Sequence, residues 1–500
     1  MTHRSSPRIP AALIGAALAL VATGSMAQTP AEPTVQAPAP AVSTPAAPAV
    51  PAAPADPAAA PTAPAASGQP TPPAAQVARP RRPTPPPAPR VTALSTDPQP
   101  TYGPQTIAMT QGALARYRQI AQRGGWGALP TSTPRIAKGS TGPLVVALKQ
   151  RLAIEGDLDL NQSPGPLFDD VTVEAVKRFQ RRVGHLASGA VTAPTIRQLN
   201  IPVQSRITAL EKSLERLADS RFAFGPRYVV VNIPAAAAEA VEGSIVRRRH
   251  VVIVGKPEHA SPMVETRLTV VNFNPTWTIP TSIIRRDIIP KMRRNPATLA
   301  SMRVRMLDRN GNEVNPASIN WQTEQAVNYT LRQDPGVGNS LGRVRIDMPN
   351  REAVYMHDTP SRRLFNSEAR YFSSGCVRVG DVNDFVTWLL APQGWERSRV
   401  DAEMTQTQRK DVRLTQPVPV AWVYMTGWAA PDGTVQFRDD IYSYDVPGAA
   451  PVRVVRAADR PPAEPVVLAP PPPPPQPNFF ESLFGGGRRE AGDPPGGNRF

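Results

Sequence analysis

Proline sets the first limit on what this chain can fold into. It has 62 prolines in 500 residues, and they gather at the two ends. Residues 28–104 consist mostly of Ala, Pro, Thr and Val, as in "PAPAVSTPAAPAVPAAPADPAAAPTAPAA". Residues 447–500 include "ADRPPAEPVVLAPPPPPPQPN" and finish on "GGGRREAGDPPGGNRF". Neither end has the aromatic or branched apolar density that offsets ordering entropy, so both are expected to be extended and disordered. Roughly 350 residues between them remain for cores, enough for more than one domain.

Ahead of the first proline-rich run, residues 1–27 read as an export signal. Arg4 and Arg8 precede a short apolar run from Ala11 to Ala22, and Ser25-Met26-Ala27 offers small residues at a cleavage position. An uncleaved membrane anchor is the alternative, although Gly15 and the Ala-rich run make a poor span. The expected location is a bacterial periplasm. Export also bears on the net charge of +16, which argues for a polyanionic wall, or plain solvated surface, over nucleic acid.

The middle of the chain divides by periodicity. Residues 105–133 hold a helical lead-in that ends at Gly124-Gly125. Residues 134–201 read as a bundle of three short helices: Leu144, Leu148 and Leu152 share one face after Pro143, and Asp169 or Asp170 caps a second helix bearing Val173, Val176 and Phe179. Thr192 is placed to cap the third. An amphipathic connector helix follows within 205–226, with Ile207, Leu210, Leu214 and Leu217 at helical spacing. From Arg227 the period becomes that of strands, and 227–446 reads as a predominantly β domain with turns at Glu242-Gly243 and Asp432-Gly433. Residues 282–337 interrupt it and look helical, then loop-rich, which suits a lid or a structural excursion. The fold class is α+β, multidomain.

The chain has one cysteine, Cys376, in "YFSSGCVRVGD". In an oxidising compartment a structural cysteine is normally paired within the chain, which here is impossible. That leaves an inert buried thiol, an intermolecular disulfide, or a nucleophile. A nucleophilic thiol needs a base. Of the five histidines His3 lies in the leader, leaving His185, His250, His259 and His357. His357 ends the apolar run "AVYMHDTP" and is nearest in sequence to Cys376. Gly375 permits an open turn that aims amides at an oxyanion, although a β-bulge would also use it. Arg378, if strand-like, shares the face of Cys376 and suits either a carboxylate or a surface salt bridge. The motifs of zinc sites, His-Glu-x-x-His and paired Cys-x-x-Cys, are absent from the sequence.

"HDTPSRRLFNSEARYFSSGCVRV" resembles the active-site motif of the L,D-transpeptidases, a histidine followed by Ser-x-Gly-Cys-x-Arg. "RYVVVNIP", "VVIVGKP", "FNPTWTIPTSI", "LRQDPGVGNSLGRV" and "VQFRDDIY" extend the likeness over 227–446, toward the large periplasmic branch of that family. "LKQRLAIEGDL" and "FDDVTVEAVKRFQRRVGHLASGAVTAPTIRQLN" resemble the three-helix peptidoglycan-binding domain. The resemblance implies Cys376 as nucleophile, His357 as base, and Asp358 orienting the imidazole through its carbonyl. It implies Tyr355 near the site, an oxyanion hole from Gly375 and the Cys376 amide, and Ser374 where many members have a second histidine. Ser373, Arg378 and Trp277 are the expected substrate contacts, Trp277 with a core role as the alternative. The implied partners are peptidoglycan stem peptides, a tetrapeptide donor and an acceptor amine, with no cofactor and no nucleic acid. The implied reaction is cross-linking of diaminopimelate residues through a thioester, with carbapenems as inhibitors. Attachment of proteins to the wall, trimming of stems, or an inactive wall-binding protein are the alternatives.

Overall fold

The computed structural model describes residues 92–132 and 135–456. The export-signal reading at 1–27, most of the proline-rich segment and the tail beyond 456 lie outside the described residues.

The first part of the fold is helical: α1 (Thr106–Gln122), α2 (Pro143–Ile154), α3 (Asp170–Arg182), α4 (Ala193–Leu199) and α5 (Val203–Leu217). Proline in the first turn of α2 costs nothing, because that N–H has no helical partner. Asp169 caps α3, accepting from Thr172 N at 2.9 Å and Thr172 Oγ1 at 2.7 Å. Thr192 stands at the N-cap of α4 but makes no side-chain capping bond. Leu148, Leu152, Phe168, Phe179, Ile196 and Leu199 form the shared core of α2, α3 and α4.

This helical module is docked on the rest of the protein through buried charge and aromatic contacts. Glu155 accepts from Tyr117 of α1 at 2.6 Å and pairs with Arg151 (2.6 Å) and Arg182 (2.8 Å). Burial alone would raise that carboxyl, but Arg182 and Arg151 hold it far below the usual carboxylate range. Phe437, far along the chain, meets Tyr117 edge-on at 5.5 Å and lies under Arg206 of α5 at 4.4 Å. Arg438 donates to the Arg182 carbonyl at 3.1 Å, and Gln198 donates to Asp439 at 2.9 Å.

The second part is built on a long sheet. Its strands are β1 (Arg227–Asn232), β2 (Ala237–Glu242), β3 (Ile245–Gly255) and β4 (Met263–Phe273). An inserted subdomain contributes β5 (Trp277–Thr278), β6 (Val304–Leu307) and β7 (Thr330–Gln333). The main sheet resumes with β8 (Val344–Asp347), β9 (Met356–His357), β10 (Tyr371–Ser373), β11 (Val377–Val379) and β12 (Lys410–Val423). A hairpin, β13 (Gly427–Ala429) and β14 (Val435–Phe437), and a last strand, β15 (Val454–Arg456), complete it. Pairings run β1–β2–β3–β11–β9–β8–β4–β12 and return to β1, so the sheet closes on itself. Val229, Val231, Val252, Val271, Ile346, Met356, Val377 and Trp422 belong to its enclosed core. Closure leaves these strands few free edges and holds the short β9 between two neighbours.

Three boundaries differ from the sequence reading. The proline-rich stretch assigned to 28–104 is ordered at its inner end, where Thr101 donates to Glu239 from its amide (2.7 Å) and hydroxyl (2.9 Å) and Tyr102 packs with Phe222 and Phe224. The tail assigned from 447 instead supplies β15, which pairs parallel with β4 through Val454, Val455 and Arg456. A three-residue strand among prolines has no period to read. The segment 282–337 is less loop-rich than expected. β5, β7 and β6 form a small sheet under a separate core of Ile284, Ile288, Ile289, Met292, Leu299, Met306 and Leu331.

In that insertion, α6 (Thr281–Ile283), a π-helical turn (Ile284–Ile288) and α7 (Ile289–Arg294) run end to end, with α8 (Thr298–Ser301) beyond. Pro290 gives the physical cause of the π turn. It has no N–H to donate four residues back, and its ring crowds the Arg286 carbonyl, so the preceding turn widens.

Candidate active site

β9 places His357 between two arginines. In register it faces Arg345 of β8 and Arg378 of β11. The imidazole is buried, and its Nδ1 lies 2.6 Å from the Asp358 carbonyl oxygen. A carbonyl only accepts, so Nδ1 bears the proton and Nε2 keeps its lone pair. Asp358 is held in turn, its carboxylate accepting the Arg343 amide at 2.9 Å. Gly342, at φ 64°, makes room for it: a Cβ there would lie 2.4 Å from Asp358 Oδ2.

Cys376 ends the turn between β10 and β11, both of which pair with β3. Gly375 sits at φ 109°, a conformation that L side chains rarely adopt. The Ser373 hydroxyl donates to the Cys376 carbonyl at 2.5 Å and accepts the Gly375 amide at 3.2 Å. The Gly375 N–H, expected to face an oxyanion, is therefore taken up inside the turn. Ser373, expected to touch substrate, lines the cavity with Cys376 but is only 2% exposed, and its hydroxyl braces the same turn. The Cys376 N–H has no acceptor among the described residues.

The Cys376 thiol and the His357 imidazole both rest uncharged. Burial pushes the Cys376 thiol up to about 11, with Tyr355 and the charges of Arg378 and Arg345 opposing it. Burial, followed by the Arg378 charge, pulls His357 down to about 3 against the pull of its Asp358 bond. The Tyr355 hydroxyl interacts with the Cys376 thiol and with Trp277, and its ring meets His357 edge-on at 5.7 Å.

Cys376, His357, Tyr355, Arg378, Ser374 and Trp277 line one cavity of about 600 Å³. The insertion forms its other wall with Ile283, Arg286, Asp287, Ile288 and Lys291. Arg286, on the π turn, donates to Ser374 Oγ at 3.0 Å and pairs with Asp287 at 2.6 Å. Of the other basic residues in that helix, Arg285 bonds Glu324 and Arg293 bonds the Trp321 carbonyl, both within the insertion. Arg378 brings a buried Nε with no hydrogen-bond partner among the described residues.

His259 lines the same cavity, whereas His250 is buried elsewhere with Nδ1 on the Gly380 carbonyl at 3.1 Å. His185 lies in the helical module, its backbone bridged to Thr92. The sequence reading gave no role to Ser261, Tyr442 or Arg345, which sit around the Cys376 turn and His357. Ser261 is preceded by "EHA" and followed by proline, which gave no signal beyond a loop. Among the described residues no cluster of His, Cys, Asp and Glu is arranged to hold a metal ion, and no helix is long and apolar enough to cross a membrane.

Residues 226–420 match the family described as "YkuD: L,D-transpeptidase catalytic domain", and residues 141–199 match the family described as "Putative peptidoglycan binding domain". A Haemophilus influenzae protein named "Putative L,D-transpeptidase" is 34% identical over 218 residues, 43% of this chain and 44% of that protein. The match thus spans somewhat under half of that relative's length. Among solved structures, an L,D-transpeptidase from Mycobacterium smegmatis aligns at 13% identity over 39% of this chain and 58% of its own, with a TM-score of 0.20. One from Xylanimonas cellulosilytica aligns at 17% identity over 59% and 99%, with a TM-score of 0.18.

Proposed function

We propose that this chain, whose residues 226–420 match the L,D-transpeptidase catalytic domain family, is an enzyme that cross-links peptidoglycan stem peptides through a thioester on Cys376. The observation that carries the reading is a thiol and a singly oriented imidazole lining one cavity, beside an amide with no acceptor. The stretch at 141–199 that matches a peptidoglycan-binding family favours wall peptide as substrate.

The chemistry follows from the resting charges. A neutral thiol is a poor nucleophile, so its proton must leave as the sulfur attacks, and His357 Nε2 has the lone pair to take it. The sulfur bonds to the carbonyl carbon that joins diaminopimelate to the terminal D-Ala of a tetrapeptide. The carbonyl oxygen takes up the electron pair and meets the Cys376 N–H. Collapse breaks the C–N bond, and the imidazolium proton passes to the departing D-Ala amine. The amine of a second stem then attacks the thioester. Its proton returns through His357 to the Cys376 sulfur, leaving a diaminopimelate–diaminopimelate link and the original enzyme. Removing base assistance of this kind costs about 10²–10⁴-fold in rate. Arg378, with its unpartnered Nε, and Lys291 are cations available to stem carboxylates. The wall that the insertion lays over the cavity favours amine over water as acceptor. The site of action is the periplasm.

Purified protein incubated with a disaccharide-tetrapeptide, with products resolved by mass spectrometry, tests this. Release of D-Ala with a cross-linked dimer is the expected result. Tripeptide alone would make the enzyme a trimming hydrolase, and transfer only to a protein amine would make it an attachment enzyme. No D-Ala release would overturn the reading.

A further inference from the structure

We infer that Ser261 is a positioning residue that aims the Cys376 amide at the reacting carbonyl oxygen, braced by Tyr442 from the C-terminal segment. This rests on the thioester reading above and adds to it a support that begins outside the matched catalytic stretch, which ends at residue 420.

Hydrogen-bond directions around Ser261 are forced. Its Oγ accepts the Gly255 N–H at 2.9 Å and lies 2.7 Å from the Gly375 carbonyl oxygen. The carbonyl has no proton, so the Ser261 hydroxyl gives its only one to Gly375. In a planar trans peptide the C=O and the following N–H point in opposite directions. Fixing the Gly375 oxygen on Ser261 therefore turns the Cys376 N–H the other way, and there it has no acceptor among the described residues. Amides adjoining a nucleophile and left without a partner are what an oxyanion requires. The opposite peptide orientation would present a carbonyl to the incoming oxygen and repel it.

Ser261 is itself held. Its N–H donates to the Tyr442 hydroxyl at 3.2 Å, and that hydroxyl donates to the Gly255 carbonyl at 2.6 Å. The Tyr442 amide donates to the Tyr424 hydroxyl at 2.8 Å, which donates to Asp440 at 2.6 Å. Gly255 is the close approach that permits the loop: a Cβ there would lie 2.2 Å from the His259 oxygen and 2.6 Å from Ser261 N. Ser261 is buried and out of reach of substrate, so its effect passes through the peptide it holds.

The test separates carbonyl chemistry from thiol chemistry. Acylation of Cys376 by a carbapenem builds an oxyanion, whereas alkylation by iodoacetamide is a displacement at saturated carbon and builds none. Loss of a direct oxyanion donor costs about 10²–10³-fold, so Ser261→Ala, acting through the peptide, is expected to slow acylation by about 10- to 100-fold. Its alkylation rate should stay within about twofold. Tyr442→Phe, which keeps the packing, should slow acylation by a smaller factor in the same selective way, and it serves as the readout if Ser261→Ala fails to fold. Equal slowing of acylation and alkylation in a folded variant would make the role merely structural and overturn the inference, as would unchanged acylation. Failure of the unaltered protein to acylate at all would instead overturn the thioester reading.

Discussion

A buried, neutral His357 makes a stability prediction with a definite sign. An imidazole in an unfolded chain titrates near 6.5, and in the fold this one is pulled down to about 3, chiefly by burial. Below pH 6.5 the unfolded chain takes up a proton that the folded protein refuses, so folding stability falls as pH falls. The loss continues down to about pH 3 and then levels off. At pH 5 the unfolded state is favoured by about 1.5 pH units of proton binding, roughly 2 kcal/mol at 1.36 kcal/mol per unit. His357→Asn removes the titration while its side-chain N–H can still reach the Asp358 carbonyl. Urea unfolding at pH 7 and pH 5 should show the unaltered protein losing about 2 kcal/mol more than the variant. His250 is also buried and pulled down, but it is present in both proteins and cancels. Equal losses in the two would refute the claim that a neutral imidazole rests in this site.

Other perturbations follow from the same geometry. Arg286→Ala removes the bond from the insertion to Ser374, so hydrolysed product should rise severalfold relative to cross-linked product; an unchanged product ratio counts against control of the acceptor step by the insertion. Gly342→Ala puts a methyl group into Asp358 at a left-handed position, and differential scanning calorimetry should find it destabilised by about 2–4 kcal/mol. A wild-type melting temperature would show that the turn relaxes freely. Deletion of residues 134–201 strips Arg438, Asp439 and buried Tyr117 of their partners Arg182, Gln198 and Glu155, so the remainder should unfold at markedly lower temperature rather than merely bind sacculi less well. An unshifted transition would make the module an independent tether.

Cys376 and His357 stood out in the sequence because both lie in short, ordered motifs, and the structure brings them to one cavity. A lone cysteine beside glycine and a histidine ending an apolar strand narrowed the choice before any geometry. The helices of the amino-terminal module were legible for a different reason: their starts and stops are local chemistry, as at Pro143, Gly156 and Asp169. Pairings formed at long range were not. Ser261 meets Gly375 across 114 residues, and nothing within "EHASP" announces it. β6 and β7 are four residues each, too short to show alternation, and they became strands by pairing with each other over Met306 and Leu331. Ser373 and Gly375 were expected at substrate and oxyanion from the motif resemblance and the open turn that glycine permits. Whether a small polar group faces inward or outward in a tight turn depends on neighbours such as Ser261 that the local sequence does not contain. The buried Arg151, Glu155 and Arg182 cluster was equally hidden, since charged residues on a helix ordinarily read as its solvated face.

The claim on which the rest depends is that Cys376 forms the covalent intermediate. Intact-protein mass spectrometry after incubation with a carbapenem, followed by mapping of the modified peptide, measures this directly. One adduct is expected on the unaltered protein, located in the peptide containing residues 371–381, and none on a folded Cys376→Ala variant. An adduct retained by that variant, or mapped to any other residue, would contradict it.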